Sequence, residues 1–191
     1  MRRFLTCIFL FALLGQYQAF WYLDEPRIDE SPTNGWFAVA ELGLAPVGNE
    51  FKPHRVWNSR DLGLIAGYSF ERVAPVLQFE LNGWNNLVND EEIHEKALNI
   101  GTGIHIYLFQ KRVRMSISGG LAIMLSNNAL DDAGKTGFYV DLRPGALTWP
   151  IDRHISFNFD FLTLNFVAPV LDGIPLLIIE YRTVLSLQYD L

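Results

Sequence analysis

Thiols, lysines and long apolar runs are all scarce in this chain of 191 residues, and each shortage excludes something. Cysteine occurs once, as Cys7, inside an apolar stretch near the start. A single thiol rules out an internal disulfide framework and a multi-cysteine metal site. Only one uninterrupted apolar run suits a helix, residues 4–14, and it is too short to cross a bilayer in that form. Lysine appears four times, as Lys52, Lys96, Lys111 and Lys135, each in or beside an expected connection. A soluble β-protein normally places lysines on exposed strand faces to keep its edges from pairing with other chains. Zinc-ligand spacing and phosphate-cradling glycine loops are also missing, so no metal and no cofactor is expected.

Met1, Arg2 and Arg3 ahead of the apolar run read as a secretory signal peptide over residues 1–19, which would carry Cys7 away. Residues 20–34 have no useful period and read as a periplasmic lead-in. The whole chain holds 15 basic and 21 acidic side chains, a formal charge of −6; without Arg2 and Arg3 the balance is 13 against 21, or −8. An acidic exported chain lacks the basic patch that phosphate neutralisation requires, which excludes DNA and RNA as partners.

What is abundant is alternation. The last stretch, residues 180–191, sends Tyr181, Thr183, Leu185, Leu187, Tyr189 and Leu191 one way and Glu180, Arg182, Val184, Ser186, Gln188 and Asp190 the other. Strand side chains have a period of 2, so one face suits lipid and the other a polar interior. Seven more segments repeat the pattern. The clearest sets Leu62, Leu64, Ala66, Tyr68 and Phe70 against Asp61, Gly63, Ile65, Gly67 and Ser69. Three short connections (71–74, 110–112, 149–153) alternate with four longer excursions (47–60, 83–96, 127–135, 166–175), of which 83–96 could carry a helical turn. Short turns on one side and long loops on the other are the rhythm of an outer-membrane barrel.

A soluble barrel would alternate too, with its apolar face inward. Here the polar face carries Gly63, Gly67, Gly101, Gly103, Gly120 and Gly145 with several serines. Glycine weakens a water-facing strand without return, whereas a narrow lumen needs small residues to close. The sequence therefore predicts an all-β fold: an eight-stranded antiparallel up-and-down transmembrane β-barrel over residues 35–191. Pro144 predicts a bulge in the sixth strand.

With this pattern, and with Tyr189 and Leu191 at the carboxy terminus, the chain resembles the small eight-stranded outer-membrane proteins of the OmpA transmembrane-domain and OmpX type. The resemblance implies a bacterial outer-membrane location. Its implied partners are outer-membrane lipid, lipopolysaccharide, the barrel-insertion machinery, which would read Tyr189 and Leu191, and a surface ligand.

Inward parity places Glu41, Glu80, Asp141, Asp160 and Glu180 against Arg114, Arg143 and Arg182, which predicts a salt-bridged plug in place of a solute pore. Arg182 is expected beside Asp160 and Glu41. His154 and Ser156, a base and a hydroxyl two residues apart on one face, resemble the His-x-Ser element of the lipid A 3-O-deacylases. That resemblance implies an acyl-ester hydrolase with Ser156 as nucleophile, His154 as base and Glu180 as orienting acid. Phe157 stands where that family continues with Asn, and a polar plug role is the competing reading of the pair. His54 and Arg55 resemble the loop histidine of the lipid A palmitoyltransferases, without their Asp-Ser partner. Asp90, Glu91, Glu92, His94 and Glu95, like Asn127, Asn128, Asp131 and Asp132, read as solvated loops against a divalent-cation alternative.

Overall fold

The computed structural model describes residues 34–50, 56–88, 91–127, 135–171, 174–175 and 178–191. The expected signal peptide and nearly all of the lead-in lie outside them, as do His54, Arg55, Asp90, Asn128, Asp131 and Asp132. β1 (Asn34–Glu50), β2 (Val56–Phe70), β3 (Val73–Val88), β4 (Glu91–Leu108), β5 (Val113–Asn127), β6 (Thr136–Pro150) and β7 (Ile155–Leu171) follow one another as antiparallel neighbours. β8 (Ile174–Pro175) is a two-residue rung on the end of β7, and β9 (Ile178–Asp190) pairs with both β7 and β1. The β9–β1 pairing closes eight long strands into a ring.

Closure fixes which way each residue points. Trp36, Leu62, Leu64, Leu77, Ile104, Ile117, Leu121, Tyr181 and Leu187 face outward and are exposed, while alternate positions on the same strands are buried. The ladders satisfy the backbone groups, so an apolar exterior meets the demand that lipid imposes on a spanning structure.

Three of the four longer excursions are shorter than the sequence suggests, because hairpin pairing continues past the apolar belt, while the one over 127–135 keeps its place between β5 and β6. β3 reaches Val88 and β4 starts at Glu91, so residues 83–96 form a ladder from Gly83↔Lys96 to Val88↔Glu91 in place of the expected loop and helical turn. Likewise β1 and β2 leave only residues 51–55 between them, and β7 continues to Leu171. Each added rung keeps backbone N–H and C=O groups paired. Opposite, the turns are tight: Phe70 pairs with Val73 around Glu71 and Arg72, and residues 109–111 all take positive φ, at 50°, 56° and 65°. At the third, the His154 and Ile155 amides donate to Asp152 Oδ1 and hold that exposed carboxyl below its usual range.

Four bulges among the described residues reset the alternation. In β6, Ser116 pairs with Arg143 but Arg114 pairs with Ala146, so one extra residue is absorbed at Pro144, which has no N–H to give the ladder. Inward Tyr139, Asp141 and Arg143 are thus followed by Ala146 and Thr148, and Gly145 loses the inward place expected of it. β7 carries a matching insertion between Asp160 and Thr163 that leaves Phe161 and Leu162 both exposed. The third lies in β1 between Ala45 and Gly48, around Pro46, and the fourth in β5, where Lys96 pairs with Ser126 but Ala97 with Met124, so that Leu125 and Ser126 are both exposed.

Close approach requires glycine at several inward positions, Gly67 and Gly101 among them. A Cβ on Gly67 would stand 2.6 Å from Phe37 Cζ and 2.8 Å from the Pro75 carbonyl oxygen. One on Gly101 would stand 2.5 Å from the Tyr139 hydroxyl. Both glycines let an aromatic ring lie across the barrel wall and fill the lumen.

Candidate functional site in the barrel lumen

The interior is stacked in three layers. At the short-turn end, Phe37, Val39, Ile65, Ala74, Val76 and Tyr107 form a buried apolar cluster, joined by His105, whose ring stacks 6.0 Å from that of Phe37. Toward the long-hairpin end, Ala97, Ala122, Met124, Tyr139 and Val167 form another. Between them lie the charges.

Arg143, brought inward just before the Pro144 bulge, holds Glu41 of β1 with both arms of its guanidinium. Nη1 donates to Oε1 at 2.6 Å and Nη2 to Oε2 at 2.8 Å. Its Nε donates to Asp141 Oδ2 at 2.9 Å, and Nη1 lies 3.9 Å from Asp160 Oδ2. Arg114 donates to Asp160 at 2.9 Å and stands 3.7 Å from Glu41. Arg182 makes a second centre: Nη1 bonds to Glu80 and lies 3.0 Å from Asp61, while Nη2 lies 3.2 Å from Asp141. Asp141 therefore joins the two centres. With its amide nitrogen turned to the carboxylates, Asn82 donates to Glu80 at 3.1 Å and Asp61 at 2.9 Å. The fork geometry of Arg suits such two-point pairing where Lys would give a single point.

The arrangement brings together Glu41, Glu80, Arg114, Asp141, Arg143, Asp160 and Arg182, and adds Asp61, which the sequence reading placed on the inner face but left out of the network. The expected pairing of Arg182 with Asp160 and Glu41 is replaced by Asp61, Glu80 and Asp141. Strands in a barrel are tilted and staggered, so equal parity on neighbouring strands does not mean equal height. Glu180 pairs through its backbone with Asn165 and Gly48, far toward the long hairpins.

That position breaks up the hydrolase constellation. Ser156 sits opposite Gln188 at the start of β7, nine residues from Asn165, a rise of about 30 Å along a strand. His154 turns away to the chain end: Nδ1 is 3.0 Å from the Asp190 carbonyl oxygen and the ring stacks 6.0 Å from that of Tyr189. Base and acid share no site, so the arrangement lends the deacylase resemblance no support. Tyr189 and Leu191 are exposed at the barrel seam, where the Leu191 amide donates to the Trp36 carbonyl at 2.8 Å and the Asp190 amide to the His154 carbonyl at 2.7 Å.

No family model and no curated sequence matches this chain. Solved structures do. Neisserial surface protein A superposes with a TM-score of 0.56 at 8% identity, covering 82% of this chain and 97% of that one. Ail, the attachment invasion locus protein of Yersinia pestis, gives 0.53 at 12% identity, covering 82% and 99%. This chain has the fold of the small eight-stranded outer-membrane barrels. At such identities what is shared is the backbone architecture: strand number, antiparallel order and closure.

Proposed function

We infer that this protein is an exported resident of the bacterial outer membrane whose barrel is closed to solutes and serves as a rigid stalk for its long hairpins. A structural or surface-interaction role follows from that arrangement. The observation that carries it is the lumen, where eight charged side chains are paired inside a ring of strands and covered at both ends by apolar layers. A pore would leave such charges facing a water path; here the guanidinium groups reach across it. The apolar outer face supplies the membrane fit. The signal peptide over residues 1–19, the lead-in, and the reading of Tyr189 and Leu191 by the insertion machinery belong to the same proposal. The two superposable proteins, a surface protein and an attachment protein by name, are consistent with a surface role.

The long hairpins face outside and the tight turns face the periplasm in this reading. Trypsin added to intact cells should cut after Arg55, between β1 and β2, and spare Lys111, Arg112 and Arg153 in the tight turns. Mass spectrometry of the fragments checks this, and cleavage at Lys111 in sealed cells would reverse the orientation.

A further inference from the structure

The registers align one row of outward positions across five strands at the upper edge of the apolar belt. Leu44 pairs with Arg60, Arg60 with Gly83, Gly83 with Lys96 and Lys96 with Ser126. Arg60, Lys96 and Ser126 are exposed, and Gly83 is half-buried between the two cations. Arg60 and Lys96 thus sit two strand spacings apart, about 10 Å between backbones, with no side chain between them. Both arms are long enough to converge above Gly83. A Cβ on Gly83 would meet only the Arg60 carbonyl oxygen at 3.6 Å, so the notch is open and tolerates a side chain.

The row below it is wholly apolar: Leu62, Leu81, Leu98 and Ile123, then Leu64, Phe79, Ile100 and Leu121. Among the described side chains, the exposed carboxylates are Glu71 and Asp152, both at the opposite, tight-turn end. On a chain of net charge −6, this rim therefore presents a local cationic pair directly above a greasy strip.

We propose that Arg60 and Lys96, separated by the Gly83 notch, bind the phosphate headgroup of an outer-leaflet phosphoglycolipid whose acyl chains lie down the Leu62–Leu81–Leu98 strip. Charge complementarity selects the phosphate: the Arg60 fork takes two of its oxygens and Lys96 supplies a compact second cation. Continuity with the apolar strip selects a lipid over a free anion. The site rests on the outer-membrane reading and on its orientation, which puts this rim in the outer leaflet.

The test uses the full chain folded into phosphatidylcholine nanodiscs doped either with bisphosphorylated lipid A or with the same glycolipid stripped of phosphate, and native mass spectrometry counts the glycolipid retained. Two cations at a membrane surface should favour the phosphorylated form by about tenfold or more. The double variant R60Q/K96Q should lose that preference, as should G83E, which sets a carboxylate between the cations. R72Q/K111Q, altered at the other end, should keep it. Folding of each variant is read from its gel shift on heating, and R60Q/K96Q decides the matter if G83E does not fold. Equal retention by wild type and R60Q/K96Q would overturn the proposal. So would displacement of the glycolipid by millimolar inorganic phosphate. Failure of the chain to enter nanodiscs would instead refute the membrane reading beneath it.

Discussion

Arg143→Met should destabilise the folded barrel by about 3 to 5 kcal/mol, since it strands Glu41 in a buried layer after removing both of its short contacts. Asp141 keeps Arg182 at 3.2 Å, so the loss concentrates on Glu41. Adding Glu41→Leu should return part of the loss, because replacing a buried pair with apolar groups of similar size is often near neutral. Urea unfolding of the single and double variants, followed by tryptophan fluorescence, measures the coupling. It should exceed the roughly 0.3 to 0.5 kcal/mol scatter of independent sites. Arg182→Met combined with Glu41→Leu should couple more weakly, as those two residues meet only through Asp141 and Arg143. Additivity for Arg143 and Glu41 would mean that water separates them.

Deleting Tyr189, Asp190 and Leu191 should abolish membrane insertion and leave the chain in the periplasm. The deletion removes the amide bonds to Trp36 and His154, the pairing of Tyr189 with both Ala38 and Ile155, and the ring contact with His154. Those contacts close β9 onto β1 and β7, so their loss opens two unpaired edges. Removing three residues from within 128–134, between β5 and β6, should be tolerated, because loop tips absorb change that a ladder cannot. Cell fractionation and the heat-dependent gel shift check both. Normal insertion of the truncated chain would show that the carboxy terminus is not read during assembly.

Strand parity was legible because only one face of a barrel strand can be apolar when lipid lies outside and polar groups line the inside. Trp36, Leu64 and Leu187 outside and Glu41, Asp141 and Arg182 inside needed no structure to assign. Bulges were legible only where a residue announced them. Pro144 did so, although the parity change after it, which hands the inward place of Gly145 to Ala146, did not follow from the proline alone. Phe161 and Leu162 carry no breaker, and their shared outward direction emerges from pairing with β9. Long hairpins read as loops because their polar residues break the alternation, while the ladder that holds them runs through backbone groups the side chains do not report.

Contacts across the lumen were the least legible part of the site. Parity put Arg143 and Glu41 in the interior, and closure of β9 on β1 made them near neighbours. Stagger then decided that Arg182 would reach Asp61 and Glu80 on β2 and β3 and leave Asp160 to Arg114. No single-strand pattern carries that height. The hydrolase reading gains no support for a related reason: two residues on one strand can look like a pair, but the third member must share their level in the barrel, and the Glu180 backbone lies at the other end.

The closed lumen is the centre of this account, and ion conductance of the full chain in planar lipid bilayers tests it most directly. With the Arg143–Glu41, Arg114–Asp160 and Arg182–Glu80 contacts intact and both apolar layers in place, the folded protein should insert without opening a steady ion path. Discrete, long-lived conductance steps from the unmodified chain would contradict the plug and establish a pore.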